Sequence, residues 1–126
     1  MTGYELKGRT WKFALPVMKL MEEMPKTTVG RAIGSQPVRS GTSVGTHYRS
    51  ACQARSKAEF ISKPEIVLEE ADESGFWLER IIEGRLLKTD RVTSLINESN
   101  ELTAIFTTSI KSAKGQEYRP AKFSLN

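Results

Sequence analysis

Apolar and polar positions alternate with a helical period along the middle of the chain, from residue 56 to residue 86. The segment opens with Ser56 and Glu59, which have the spacing of a capping box, so we predict a helix that begins at Lys57. It ends near Gly84, a residue suited to a helix C-terminus. Apolar or small residues recur at steps of three and four on one broad face: Phe60, Ile61, Pro64, Val67, Leu68, Ala71, Ser74, Gly75, Leu78, Ile81, Ile82 and Leu86. The other face is acidic and predicted to be solvated, with Glu65, Glu69, Asp72, Glu73, Glu79 and Glu83.

The preceding segment, residues 29–54, also predicts a helix although it contains four glycines. Each glycine in a helix interior costs about 1 kcal/mol relative to alanine, so some other interaction must offset them. They form two pairs four residues apart, Gly30 with Gly34 and Gly41 with Gly45. Each pair lies on one helix face and allows a neighbouring helix to approach closely. The alternative for this segment is a glycine-rich loop.

The N-terminal apolar segment carries two apolar stripes. We predict a helix from Thr10, a candidate N-cap, to about Met24, with a kink at Pro16. One stripe comprises Trp11, Ala14, Leu15, Met18 and Met21, and the other comprises Phe13, Val17, Leu20 and Met24. A helix that is apolar on two faces is buried on two faces. We therefore predict self-association, with a subunit interface formed by Phe13, Val17 and Leu20.

A fourth helix is predicted from Asp90 to about Ala113, with an apolar stripe of Val92, Leu95, Ile96, Leu102, Ile105, Phe106 and Ile110. Residues 114–126 contain Gly115 and Pro120 and no sustained periodicity, so we expect a flexible C-terminal tail. Helices two to four would span roughly 35 to 42 Å at ~1.5 Å per residue, and the connections between them are short. The pattern predicts one domain over residues 1–113 that is an all-α, antiparallel, up-down-up-down four-helix bundle.

A specific order of residues runs from position 39 to position 78: Arg39, Ser40, Gly41, Ser43, Val44, Gly45, Arg49, Ala51, Ser56, Lys57, Phe60, Ile61, Glu70, Ala71, Glu73, Trp77 and Leu78. This order resembles that of the bacterial four helix bundle protein family, which includes proteins encoded in intervening sequences of large-subunit rRNA genes. It is also similar to the accessory protein of diversity-generating retroelements. The resemblance implies a ring-forming homo-oligomer, with a pentamer expected, and association with a nucleic-acid enzyme such as a reverse transcriptase.

Pro64 departs from this family pattern, in which an apolar residue is usual. Proline inside a helix removes a backbone hydrogen bond and costs about 3 kcal/mol, so we expect a kink at this position. The alternative is a restart of the helix, because Ser62 and Glu65 have a second capping-box spacing around this proline.

The composition is that of one small globular domain. The chain has 126 residues, of which 38% are hydrophobic and 27% are charged. No run approaches the ~18 apolar residues that a membrane span requires, so we expect no membrane association. The first 17 residues lack the pattern of a secretory signal, and a cytoplasmic location is expected. The single Cys52 allows no internal disulfide and is expected to pack as a small apolar residue.

Motifs for catalysis and for metal binding are absent from the sequence. It contains no phosphate-binding Gly-rich loop, no His-Glu-x-x-His and no Gly-x-Ser-x-Gly. A di-metal site in a helical bundle needs Glu-x-x-His pairs, whereas His47 is the only histidine. We therefore predict a protein that is not an enzyme and that uses no cofactor and no metal.

Charge is distributed unevenly along the chain. Residues 61–84 hold seven acids and two bases, whereas the other residues hold seventeen bases and eight acids. A basic surface of this kind binds phosphate backbones through counterion release. The hypothesis is RNA or DNA binding by bases on or near the first two helices: Lys7, Arg9, Lys12, Arg31, Arg39, Arg55 and Lys57.

The alternative is a structural or protein-interaction module with no nucleic-acid role. Arg39 and Arg49 could instead pair with Glu70 and Glu73 across helices two and three. Residues predicted to specify the bundle are accordingly Gly41, Gly45, Arg49, Glu70, Glu73 and Trp77. Aromatic residues add no stacking platform to the hypothesis: Tyr4, Tyr48, Tyr118 and Phe123 are scattered, and Trp11 and Trp77 are expected to pack in apolar stripes.

Overall fold

The computed structural model describes residues 1–115, and they form four helices without a strand. The helices are α1 (Gly3–Met21), α2 (Thr28–Ala51), α3 (Lys57–Glu83) and α4 (Thr89–Lys114). Each helix packs against its neighbour in sequence, and α1 also meets α4 along a thinner seam. Helices α1 and α3 lie diagonally across the bundle, as do α2 and α4. The predicted all-α, antiparallel four-helix bundle is confirmed.

The start of α1 differs from the sequence prediction by seven residues. The helix begins at Gly3 because the Thr2 hydroxyl accepts a hydrogen bond from the Glu5 N–H at 3.1 Å and caps it. Thr10, the predicted N-cap, lies inside the helix, and its buried hydroxyl donates to the Leu6 carbonyl at 2.9 Å. The predicted start at Thr10 is therefore wrong.

The limits of the other helices lie close to those predicted. Helix α2 ends at Ala51, three residues earlier than expected, and α4 continues through Lys114. Lys114 and Gly115 thus extend the bundle past the predicted boundary at residue 113. The rest of the predicted tail, residues 116–126 with Tyr118 and Phe123, lies outside the described residues.

Helix α3 starts at the predicted cap and is continuous through Pro64, so of the two alternatives for this proline the restart of the helix is wrong. The Ser56 hydroxyl accepts from the Glu59 N–H at 3.1 Å, which confirms the predicted start at Lys57. The helix continues through Pro64 to Glu83, so it does not restart after Ser62. The Pro64 ring is buried, and its packing against the core compensates for part of the missing hydrogen bond.

The glycine-rich segment is helical throughout, and its glycines differ in what they do. At Gly45 an added Cβ would lie 3.2 Å from both the Thr10 carbonyl oxygen and the Trp11 Cα, which are backbone atoms of α1. At Gly41 the nearest atoms are side-chain carbons of Phe13 and Val17 at 3.6 to 3.7 Å, an ordinary contact. Close approach of α1 and α2 thus depends on Gly45, and the loop alternative is wrong.

The core occupies the middle of the bundle along its whole length. Tyr48 from α2 and Phe106 from α4 meet edge to face there, with ring centroids 5.6 Å apart. The Tyr48 hydroxyl donates to the Gly3 carbonyl at 3.3 Å, which ties the start of α1 to α2. Burial of this side chain raises the pKa of Tyr48 above its ordinary value, and the neighbouring Cys52 thiol adds to the shift.

The two stripes of α1 have the opposite roles from those predicted. Phe13, Val17 and Leu20 are at most 3% exposed and belong to the core of their own chain. The prediction that they contact another subunit is therefore wrong. Because α1 starts at Gly3, Leu6 and Thr10 extend this stripe and make it the face buried against α2 and α4. The exposed stripe of α1 contains Trp11, Leu15 and Met18.

Candidate nucleic-acid interface

Two of the seven predicted nucleic-acid contacts are occupied by ion pairs that join helices. Arg9 of α1 donates from Nε and Nη2 to the Glu98 carboxylate of α4 at 2.7 and 2.6 Å. This hydrogen-bonded pair raises the pKa of Arg9. Arg39 of α2 pairs with Glu70 at 3.3 Å and with Glu73 at 2.6 Å on α3. Both arginines therefore link neighbouring helices and contribute little free positive charge.

Arg49 does not have the role that the sequence analysis gave it. Arg39 takes both acids of α3, and within residues 1–115 Arg49 forms no ion pair. Its side chain is exposed on α2 beside Gly45, where it faces α1. The prediction that Arg49 pairs with Glu70 or Glu73 is wrong, and Arg49 is a candidate phosphate ligand that the sequence analysis missed.

Three of the residues predicted to specify the bundle lie on α3, namely Glu70, Glu73 and Trp77. Glu70 and Glu73 contact α2 through their ion pairs with Arg39. Trp77 is only half-buried and packs edge to face on Phe76, with ring centroids 5.0 Å apart. Its indole N–H has no hydrogen-bond partner in the described part of the chain. Trp77 is therefore not a central core residue, although its indole nitrogen is buried.

A cleft of about 890 Å³ lies over the N-terminal half of α1 and brings three unpaired cations together. Lys7 and Lys12 reach it from α1 and Arg49 reaches it from α2. None of the three forms an ion pair among residues 1–115. Gly8 and Gly45 also line it, and the position of a Cβ at Gly8 has no heavy atom within 4 Å.

The charge in this cleft is positive in sum. Its lining contains four bases and two acids: Lys7, Arg9, Lys12, Arg49, Glu5 and Glu98. Glu98 is neutralised by Arg9, which leaves Glu5 as the acid without a partner in the described chain. The lining therefore favours an anionic group over a cationic one.

The remaining predicted bases lie near the two ends of α2, in the turn after it and in its first turn. Arg55 and Lys57 are exposed at the turn between α2 and α3, which is the end of the bundle where α1 begins. Arg31 lies near the opposite end, where its guanidinium donates to the Lys26 carbonyl at 3.2 Å. The structure thus brings Lys7, Lys12 and Arg49 together and leaves Arg31 apart from them.

Aromatic side chains line the same cleft, contrary to the sequence analysis. Tyr4 is 88% exposed and Trp11 is 64% exposed, and both project from the outer face of α1. The periodicity of α1 could not separate an exposed apolar stripe from a buried one. One pattern in the sequence could have indicated that these aromatic residues are exposed: a basic residue lies near each of them, Lys7 near Tyr4 and Lys12 beside Trp11.

Other kinds of site find less support in the described residues. Residues 1–115 contain no group of three or more metal-ligating side chains that could hold an ion. No helix among the four is both long enough and apolar enough to cross a membrane. His47 is half-buried in α2, and Cys52 lies beside Tyr48 at the end of that helix.

Comparison with known proteins gives a match over nearly the whole bundle. Residues 4–108 match the model of a family described as 23S rRNA-intervening sequence protein. A solved structure from Bacteroides thetaiotaomicron, a protein with unknown function from the S23 ribosomal protein family, is also similar. It is 33% identical with a TM-score of 0.77, and the match covers 84% of this chain and 98% of that one. None of the curated proteins matches the chain.

Proposed function

The chain belongs to the 23S rRNA-intervening sequence protein family, and from this premise we propose that it is a non-enzymatic RNA- or DNA-binding protein of the cytoplasm. The proposed contact surface is the basic cleft on α1 and α2. The observation that carries the proposal is that Lys7, Lys12 and Arg49 line one cleft without ion pairs to any described residue. The family description makes ribosomal RNA the first target to test.

The physical basis of binding is the release of counterions from a phosphate backbone. Each phosphate that a lysine or arginine neutralises releases condensed cations, which makes the affinity fall as the salt concentration rises. The three cations of the cleft contact phosphates in this proposal, and Arg55 and Lys57 extend the basic surface at the same end of the bundle. Binding of this kind positions a nucleic acid without reading its sequence.

Self-association is part of the proposal. Leu15 and Met18 form a short apolar row on the outer face of α1, where they are 52% and 45% exposed among the described residues. Such a row is a candidate subunit contact in a homo-oligomer, for which the family resemblance makes a pentamer the expected form. The likeness to retroelement accessory proteins makes a nucleic-acid enzyme such as a reverse transcriptase the protein partner to test.

A second candidate function is a protein-interaction module that has no nucleic-acid role. The ion pairs of Arg9 and Arg39 favour it, because they remove two of the predicted bases from any ligand. In that case the apolar row of α1 binds a protein, and the cations of the cleft have no ligand.

The two candidate functions are distinguished by measuring the affinity for nucleic acid as a function of salt concentration. The test measures fluorescence anisotropy of a labelled 20-nucleotide RNA between 50 and 200 mM salt, for the full chain and for a triple variant with Lys7→Gln, Lys12→Gln and Arg49→Gln. We expect the affinity of the unmodified chain to fall with salt, and the triple variant to bind about tenfold or more weakly with a salt slope reduced by about 2.

A matched variant controls for the change in net charge. Arg85→Gln, Lys88→Gln and Lys111→Gln together remove the same charge from exposed positions outside the cleft. This variant should bind RNA within about twofold of the unmodified chain. The proposal fails if the unmodified chain does not bind RNA at 50 mM salt, or if both triple variants lose the same affinity.

A further inference from the structure

Two large aromatic side chains of the basic cleft are exposed to solvent. Folded proteins usually bury most of the surface of such side chains. Tyr4 is 88% exposed and Trp11 is 64% exposed. By contrast, Trp77 packs on Phe76, and Tyr48 packs on Phe106. Within residues 1–115, neither Tyr4 nor Trp11 contacts another ring. An indole that is exposed to solvent contributes no hydrophobic stabilisation to the fold. A ligand that covers the exposed ring would gain that stabilisation on binding.

From these side chains we infer that the cleft binds single-stranded nucleic acid, with unpaired bases stacked on Trp11 and Tyr4 and the phosphates held by Lys7, Lys12 and Arg49. This inference rests on the proposed function and narrows its ligand class. Base stacking on aromatic side chains and cations along the backbone are the two contacts that single-strand binding proteins combine.

The spacing on α1 suits two separate stacking positions. Tyr4 and Trp11 are seven residues apart, which is two helical turns or about 10 Å along the helix axis. Between them lies Gly8, and the position that its Cβ would occupy has no heavy atom within 4 Å. Open space between the rings lets a base reach either ring without displacing a side chain. Lys7 and Lys12 flank this space on the same helix.

A duplex fits the cleft less well than a single strand. The bases of a duplex are stacked on each other, so a protein surface contacts phosphates, sugars and groove edges. The faces of the bases are then not accessible to the rings of Tyr4 and Trp11. A single strand exposes the faces of its bases, and every base can stack on an aromatic ring. The cleft should therefore prefer single strands and tolerate many sequences.

A second copy of the chain is the competing occupant of this face. It would cover Trp11 together with Leu15 and Met18, and it would leave Lys7, Lys12 and Arg49 without a counter-charge. The presence of three unpaired cations beside the rings favours a polyanion. If Trp11 is instead a subunit contact, its substitution changes the mass of the protein in solution, which the experiment below measures.

The experiment compares Trp11→Leu with Phe76→Leu as a matched control. Phe76 is an exposed aromatic residue on α3, outside the cleft, so its substitution removes the same kind of side chain elsewhere. Affinities are measured for a 12-nucleotide single-stranded RNA and for the same sequence as a duplex. We expect Trp11→Leu to weaken single-strand binding about tenfold without a change in salt slope, and to change duplex binding less than twofold. Phe76→Leu should change neither.

Tryptophan fluorescence gives a direct readout of stacking. The chain has two tryptophans, so in a Trp77→Phe variant all of the tryptophan emission comes from Trp11. Single-stranded RNA should quench that emission, and duplex RNA at equal occupancy should leave it nearly unchanged. Because Trp11 is exposed, Trp11→Leu should keep the helix content and thermal midpoint of the unmodified chain, as circular dichroism will report.

The outcomes separate this inference from the proposed function. If Trp11→Leu binds single strands normally while the triple lysine and arginine variant does not, the cleft holds phosphates only and the stacking inference is overturned. It is also overturned if Trp11→Leu lowers the mass measured by sedimentation, since Trp11 is then a subunit contact. If the unmodified chain binds no nucleic acid, the proposed function itself is wrong.

Discussion

At the scale of single residues, Gly45 of α2 and Gly8 of α1 have opposite environments. Gly45 on α2 lies against the backbone of α1, where the space for a side chain is missing. Gly8 on α1 faces open space, so it weakens the helix without bringing another element closer. Helix packing therefore accounts for the glycine at position 45, whereas no neighbouring atom requires a glycine at position 8.

Alanine at these two glycines should change stability in opposite directions. Gly45→Ala forces the backbone atoms at Thr10 and Trp11 to move and should lower the free energy of unfolding by about 1–3 kcal/mol. Gly8→Ala should raise it by about 0.5–1 kcal/mol through helix propensity alone. Urea unfolding followed by circular dichroism measures both. Equal stability of Gly45→Ala and the unmodified chain would contradict the account of close helix approach.

The sequence predicted contacts between residues that are close along the chain, such as helix caps. It did not determine which residues form ion pairs between different helices. The cap at Ser56 and Glu59 follows from spacing, and it is present in the structure. The choice between Arg39 and Arg49 as the partner of Glu73 depends on which side of α2 faces α3. Charge alone does not contain that information, since both arginines are near enough in sequence to be candidates.

At the scale of elements, α1 shows how a helix start decides which face is buried. Two stripes of similar apolar character compete for the core in this helix. The cap at Thr2 starts the helix seven residues, or about two turns, earlier than predicted, and Leu6 then extends the stripe of Phe13 and Val17. Periodicity predicted the helix and both stripes, but the missed cap prevented the correct choice between them. Helices α3 and α4, with one dominant stripe each, were predicted to within one residue of their observed limits.

Proline substitution tests the balance between hydrogen bonding and packing within an element. Pro16 lies inside α1 with an exposed ring, so it removes a backbone hydrogen bond without adding core contacts. Pro16→Ala should therefore stabilise the protein by about 1–2 kcal/mol, after the lost restriction of the unfolded chain is allowed for. Pro64→Ala is the control, because its buried ring contributes packing that alanine loses. A thermal midpoint for Pro16→Ala at or below that of the unmodified chain would contradict this account.

At the scale of the whole molecule, charge is separated across the bundle. The acids of residues 61–84 lie on α3, diagonally opposite α1 and its exposed lysines. A separation of this kind orients a polyanion toward the α1 side before contact is made. Along the thin seam between α1 and α4, ion pairs of Arg9 with Glu98 and of Arg91 with Glu23 hold the edges together. The sequence predicted this uneven charge but not which bases remain unpaired.

The most direct measurement is a map of where RNA touches the protein. Full-length chain is irradiated with a single-stranded RNA that contains 4-thiouridine, and the cross-linked peptides are identified by mass spectrometry. The account predicts that most cross-links fall on residues 4–12 of α1 and 45–57 around the end of α2, and that the Phe76→Leu control leaves them unchanged. Cross-links concentrated on α3 or α4, or RNA binding without any cross-link to α1, would contradict it.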